Sequence, residues 1–182
     1  MRGKNTPVFS IGISRGCYED SMRHALASLV IALFLFPSIA FGETMDDLVK
    51  RDGIYYKKFT DVPFTGKVKG KTQGSLKNGK RYGAWVRYYG NGQLQWKGTY
   101  KDGKEDGVWV RYMSNGQLYM KRTYKNGKRD GPLVIYHTDK GQLASKGTYK
   151  DDKKHGPWVY YNMDGTVIEG FTGTYKNGVK VK

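Results

Sequence analysis

Thiols are nearly absent from this chain, which has one cysteine, Cys17, in 182 residues. Cys17 precedes the single long apolar run, so it is not the lipid-bearing cysteine of a lipoprotein signal, which follows such a run. Downstream of Cys17 there is no disulfide and no thiolate metal site, and stability there must come from packing. Negative charge is also scarce: 16 Asp and Glu stand against 32 Lys and Arg, a net charge of +16. A partner met through electrostatics is therefore anionic, and an acidic ligand is favoured over a basic one. Histidines number only three, and the two beyond residue 42, His137 and His155, occupy non-equivalent places. No P-loop, zinc-ligand spacing or nucleophile elbow occurs. The carboxylates of Asp102, Glu105, Asp106, Asp130, Asp151 and Asp152 fall beside lysines in glycine-containing turns, where such groups serve solubility and turn formation. The expectation is a non-enzyme with no cofactor, no metal and no catalytic residue.

Long apolar stretches are limited to one. Residues 22–42, "MRHALASLVIALFLFPSIAFG", combine a short basic start, an apolar run from Ala25 to Phe36, a break at Pro37 and small residues Ala40 and Gly42. That order is the pattern of a secretory signal peptide. The run would reach about 18 Å as a helix, short of the roughly 30 Å needed to cross a bilayer. Cleavage is expected between Gly42 and Glu43, with residues 1–21 a disordered N-terminal extension and Met22 a candidate start. A chain beginning at Glu43 keeps 28 basic and 14 acidic residues, since 32 − 4 = 28 and 16 − 2 = 14, so it remains strongly basic at +14. The expected location is the bacterial periplasm or the medium, with at most peripheral membrane contact.

What the sequence has in abundance is repetition. "KGTYKDGKEDG" (97–107) returns as "KRTYKNGKRDG" (121–131) and "KGTYKDDKKHG" (146–156), and a trimmed copy starts at Phe171. Gly83, Gly107, Gly131 and Gly156 are 24, 24 and 25 residues apart, and Tyr100, Tyr124, Tyr149 and Tyr175 follow at 24, 25 and 26. A period this regular marks a repeat architecture. The extra residue of the third copy falls in a turn, and the two extra residues of the last copy preserve side-chain alternation if they lie in a strand.

Each unit reads as two strands. Segments 84–89, 108–113, 132–137 and 157–162 are rich in β-branched and aromatic residues, and they alternate with 93–101, 117–125, 142–150 and 166–176. Asn-Gly and Asp-Gly pairs join them, as tight hairpins require. The fold class expected is all-β: an elongated antiparallel meander of hairpin repeats in one twisted sheet, with a cap at 43–63 and the repeats over 64–182. Alternation puts Val86 and Tyr88, Val110 and Tyr112, Val134 and Tyr136, and Val159 and Tyr161 on one face, which is expected to be the buried one. Gly98 and Gly147, within strands, make room for a neighbouring aromatic ring or a bend.

The pattern G-x-W-x-x-Y-x-x-N-G-x-L-x-x-K-G-x-Y-K-[DN]-G-K-x-x-G, fullest over residues 83–107, resembles the MORN repeat variant found in bacterial proteins labelled YwqK-family antitoxins. The resemblance covers about residues 64–182 and implies a repeat-built β-sheet and, as one alternative, neutralisation of a toxin by direct contact. The third copy departs from it with Leu133 in place of Trp and with Asp152 in place of the turn glycine.

The basic residues are the candidate binding groups. Lys97, Lys101, Lys121, Arg122, Lys125, Lys146 and Lys150 recur at matching places, so stacked copies align them in rows. Arg87 and Arg111, beside Trp85 and Trp109, with Trp158 in a later copy, form a second candidate surface on which an anionic head group, a sugar or a base would meet an indole. The expected function is that of an exported binding or scaffold module for an anionic lipid, an envelope polymer or an acidic protein, with a toxin as the alternative partner. Export argues against nucleic acid.

Overall fold

The computed structural model describes residues 42–182; the segment expected to be a signal peptide and the extension before it lie outside the described residues, Gly42 apart. The strands are β1 (Glu43–Thr44), β2 (Leu48–Arg51), β3 (Ile54–Lys57), β4 (Gly66–Lys69), β5 (Thr72–Lys77), β6 (Lys80–Tyr88) and β7 (Leu94–Lys101). They continue as β8 (Lys104–Tyr112), β9 (Leu118–Lys125), β10 (Lys128–Tyr136), β11 (Leu143–Lys150), β12 (Lys153–Tyr160), β13 (Gly173–Lys176) and β14 (Val179–Lys180). Twelve of them form one sheet in the order β1, then β4 to β14 consecutively. The pairings from β4 onward are antiparallel and β1 joins β4 in parallel. β2 and β3 make a separate hairpin. The all-β meander expected from the repeats is the observed fold.

Two kinds of turn alternate along it. At Asn78-Gly79, Asp102-Gly103, Asn126-Gly127 and Asn177-Gly178 both central residues have positive φ, the type I′ geometry whose twist matches a two-residue hairpin. At Asn91-Gly92, Asn115-Gly116 and Asp164-Gly165 only the glycine does. There the Asn or Asp side chain accepts the amide two residues on, as Asn91 does from Gln93 at 3.1 Å. The third copy places Asp151 and Asp152 in the first kind of turn, with φ of 47° and 67°. Asp152 is held in this conformation by Arg129, whose backbone amide and Nε donate to its carboxylate at 3.0 and 2.8 Å.

Strands β6, β8, β10 and β12 begin about four residues earlier than the sequence suggests. They run straight through Gly83, Gly107, Gly131 and Gly156, which have positive φ. At each of these, three residues on one strand lie opposite one on the other, as Gly83–Trp85 lie opposite Gly74 between the pairs Tyr82–Ser75 and Val86–Gln73. These glycines mark bulges inside strands rather than turns between them. Residues 166–176 are not one strand either. The chain turns back at Ile168, whose carbonyl accepts from Phe171 and Thr172, before β13 begins.

The buried face is the opposite of the one expected. Trp85, Trp109, Leu133 and Trp158 are buried, at 0%, 6%, 3% and 1% exposure, while the Val and Tyr residues of the other face are only half-buried. The reason is a unit of three parts. Each indole lies over a glycine of the preceding strand, Trp85 over Gly74, Trp109 over Gly98 and Trp158 over Gly147, where a Cβ would come closer than 3.0 Å to the ring. Each indole N–H then donates to the carbonyl of the next residue, at 3.2 Å to Ser75, 3.2 Å to Thr99 and 3.0 Å to Thr148. The ring thus covers its own strand's neighbour and satisfies its one polar atom. In the third copy both parts change together: Leu133 replaces the indole and Arg122 replaces the glycine.

Tyrosines interleave with these rings. Trp85, Tyr100, Trp109 and Tyr124 meet edge to face at centroid distances of 6.1, 5.0 and 6.1 Å. Tyr149, Trp158 and Tyr175 repeat the arrangement at 5.0 and 6.3 Å. Leu48 and Tyr55 of the β2–β3 hairpin, with Met45, pack on this face beside Leu76 and Trp85.

Candidate functional site

Register assigns every repeat cation to a face. One cross-strand row reads Val86, Lys97, Val110, Lys121, Val134, Lys146, Val159 across β6 to β12. All three lysines are exposed and lie on the face opposite the indoles. Two interstrand spacings separate each from the next, a step of roughly 9.6 Å. Nearer the type I′ turns the same face carries directly opposed lysine pairs, Lys77 with Lys80, Lys101 with Lys104, Lys125 with Lys128 and Lys150 with Lys153. Like charges placed opposite each other weaken a sheet, so four such pairs in succession are a departure from what stability alone selects.

The arginines sort the other way. Arg81, Arg87, Arg111, Arg122 and Arg129 all take the indole face. Arg81 lies 4.6 Å from the Trp85 ring centroid and donates to the Tyr100 hydroxyl at 2.8 Å. Arg129 lies 4.3 Å over Tyr149, and Arg122 donates to Tyr124 Oη at 3.0 Å. A weakly hydrated planar guanidinium stacks on rings, whereas an ammonium keeps its water. This difference places arginine over the core and lysine toward solvent. Lys154, 4.8 to 5.0 Å from the Tyr175, Tyr160 and Trp158 rings, is the one lysine in the corresponding core position.

The sequence-derived candidates therefore divide. Lys97, Lys101, Lys121, Lys125, Lys146 and Lys150 share one exposed face. Arg122 belongs to the core face and is half-buried, and its Nε has no protein partner. The indoles of Trp85, Trp109 and Trp158, expected to form a contact surface, are buried instead, because they fill the space over Gly74, Gly98 and Gly147. Arg87 and Arg111 remain exposed, and the ring between them is Trp96, paired with both across the sheet. These three line a depression of about 390 Å³ with Tyr89 and Tyr119. Sequence reasoning passed over Trp96; its place opposite Arg87 follows from the turn at Asn91-Gly92. Gly42 and Glu43, named for signal cleavage, sit at the start of the described chain, where Glu43 pairs with Val68 in β1 and its carboxylate meets Lys57.

Two acid-base features are structural. The Asp152 carboxyl lies below the usual aspartate range, because it accepts hydrogen bonds from the Arg129 side chain and amide. The Tyr100 phenol is pushed up by burial, which outweighs the neighbouring Arg81 charge. Among the described residues no group of three or more His, Cys, Asp or Glu is placed to hold a metal, and no helix is long and apolar enough to cross a membrane.

No curated protein matches the chain. A family model described as the MORN repeat variant matches residues 81–102 and 105–126, so the units built around Trp85 and Trp109 are MORN-type repeats, and the match extends to the repeat and not to an antitoxin activity.

Proposed function

We propose that this chain is an exported, non-catalytic repeat module that binds an anionic component of the cell envelope through its lysine face. One observation carries the reading: the repeat arginines take the indole face, where Arg81, Arg122 and Arg129 meet the protein's own rings, while Lys97, Lys121 and Lys146 are left exposed in register on the other face. A face of fixed, regularly spaced charge presents many weak contacts at once, and linked weak contacts multiply. Export is supported by the order of features in residues 22–42. An anionic polymer or lipid is favoured over nucleic acid because three of the four indoles, those of Trp85, Trp109 and Trp158, are buried and unable to stack on bases.

The test is retention of the purified chain on immobilised dextran sulfate, with Lys97, Lys121 and Lys146 changed together to Glu. The variant is expected to elute at lower salt than the parent, with an unchanged circular dichroism spectrum. Equal elution from folded variant and parent would reject the lysine face as the binding surface. Mass spectrometry of the N-terminus in fractionated cells checks export, with a start near Glu43 in the periplasm or medium as the expected result.

A further inference from the structure

The hollows between the turn lysines differ from copy to copy. Lys77, Lys80, Tyr82 and Asp102 bound one of about 210 Å³. Further along, Lys104, Lys125, Lys128 and Lys150 bound a groove of about 680 Å³ with Asp130 and His155. The position that Tyr82 occupies in the first unit is held by Asp106, Asp130 and His155 in the next three. In the first unit the tyrosine ring stands there, with Lys77 5.8 Å from its centroid. In the later units smaller side chains leave the space open.

We propose that this groove binds a phosphoryl group carried on a hydroxylated unit, a sugar or glycerol phosphate. The proposal rests on the anion-binding reading above and gives it a specific location. Four ammonium groups from three successive hairpins line the groove, with the two carboxylates of Asp130 and Asp151 among them. Lysines act on phosphoryl oxygens as movable point charges and need no bidentate geometry. Lys128 and Asp151 are 3.9 Å apart and both well exposed, a loose pair that leaves the ammonium free to turn toward a ligand. A bare anion is repelled by Asp130 and Asp151, whereas the hydroxyls of a sugar or glycerol donate hydrogen bonds to them. His155 lines the groove, and a flip of its ring would bring Nδ1, which is buried and has no protein partner, toward a ligand. Imidazole accepts from a hydroxyl or donates to a phosphoryl oxygen, according to tautomer.

The experiment is calorimetric titration of the full chain with glycerol 3-phosphate, orthophosphate and glycerol. The variants are His155→Asp, which installs the residue two sister copies carry, Lys125→Gln with Lys150→Gln, and, as a control away from the groove and the lysine face, Lys50→Gln with Lys58→Gln. Glycerol 3-phosphate is expected to bind about tenfold more tightly than orthophosphate, with about tenfold losses in both groove variants and a change within about twofold in the control. Equal losses in groove and control variants overturn the local site while leaving general anion binding in place. Equal affinity for orthophosphate overturns the hydroxylated carrier. If no phosphate compound binds while dextran sulfate still does, the groove proposal alone is lost; if neither binds, the broader reading goes with it. Retention on phosphatidylglycerol vesicles that falls with His155→Asp assigns the phosphate to a lipid headgroup, and sensitivity confined to glycerol 3-phosphate assigns a soluble or polymer-borne one; either supports the site.

Discussion

The pairing of each indole with a glycine on the strand before it makes a quantitative prediction about how two substitutions combine. In Gly98→Ala the new methyl group falls inside the Trp109 ring, and overpacking of this kind costs about 1–3 kcal/mol. Trp109→Leu removes a nearly buried ring and its 3.2 Å bond to the Thr99 carbonyl, a loss of about 2–4 kcal/mol from cavity and hydrogen bond together. With the indole gone, however, the alanine methyl enters space the ring has vacated. The double variant is therefore expected to be about 2 kcal/mol more stable than the sum of the single effects predicts. Urea unfolding followed by circular dichroism measures all four corners, provided the slope against urea stays constant, since repeat arrays can lose cooperativity. Effects that add to within about 0.5 kcal/mol would refute the unit. The third copy is already the natural analogue of the double variant, with Arg122 and Leu133 at these two places.

Other outcomes follow from the same geometry. Trp85→Leu is expected to cost about 2–4 kcal/mol and Val86→Ala about 1 kcal/mol or less, a contrast readable by urea unfolding that reverses if the Val face is the core. Asp152 has a lowered carboxyl pKa in the folded chain, so its contribution is present above the ordinary aspartate range and is lost as pH falls through the folded-state value. Asp152→Gly should flatten the acid side of the stability profile, and Asp152→Ala should be less stable than Asp152→Gly because of the φ of 67°. The Tyr100 phenol has a raised pKa, so its contribution is intact below the unfolded-state value near pH 10 and fades as pH rises through the folded one. Tyr100→Phe should reduce the loss of stability at alkaline pH, measured by unfolding at pH 9 to 11.

The strands and hairpins were legible because turn chemistry is local. A Lys-[Asn/Asp]-Gly-Lys phrase states its own φ angles, and the structure has them. The choice of buried face was not, because alternation divides a strand into two faces without ranking them, and both here hold apolar residues. Valine and tyrosine suggested the core by composition, yet the decisive contact runs between strands, from Trp109 back to Gly98. A signal for it existed in the simultaneous change to Arg122 and Leu133, which reads as two unrelated departures until the ring is seen over the glycine. The bulges at Gly83 and its equivalents were mistaken for strand ends because a glycine with positive φ serves both roles. For the site, the lysine rows were visible in the period, whereas the sorting of arginine onto the other face needed the register.

The meander also fixes how the molecule would respond to force. β1 lies at one edge of the sheet and β14 at the other, so tension between the two ends pulls across the strands and separates their hydrogen bonds in sequence instead of shearing them together. Each hairpin that peels away frees about 24 residues, or about 80 Å of extended chain, less the width of roughly 10 Å that two strands occupied. Stretching should then give a series of low-force steps of about 70 Å. Load on a molecule anchored at its two ends would be absorbed by extension, one repeat at a time, while the repeats not yet released keep their lysines in register.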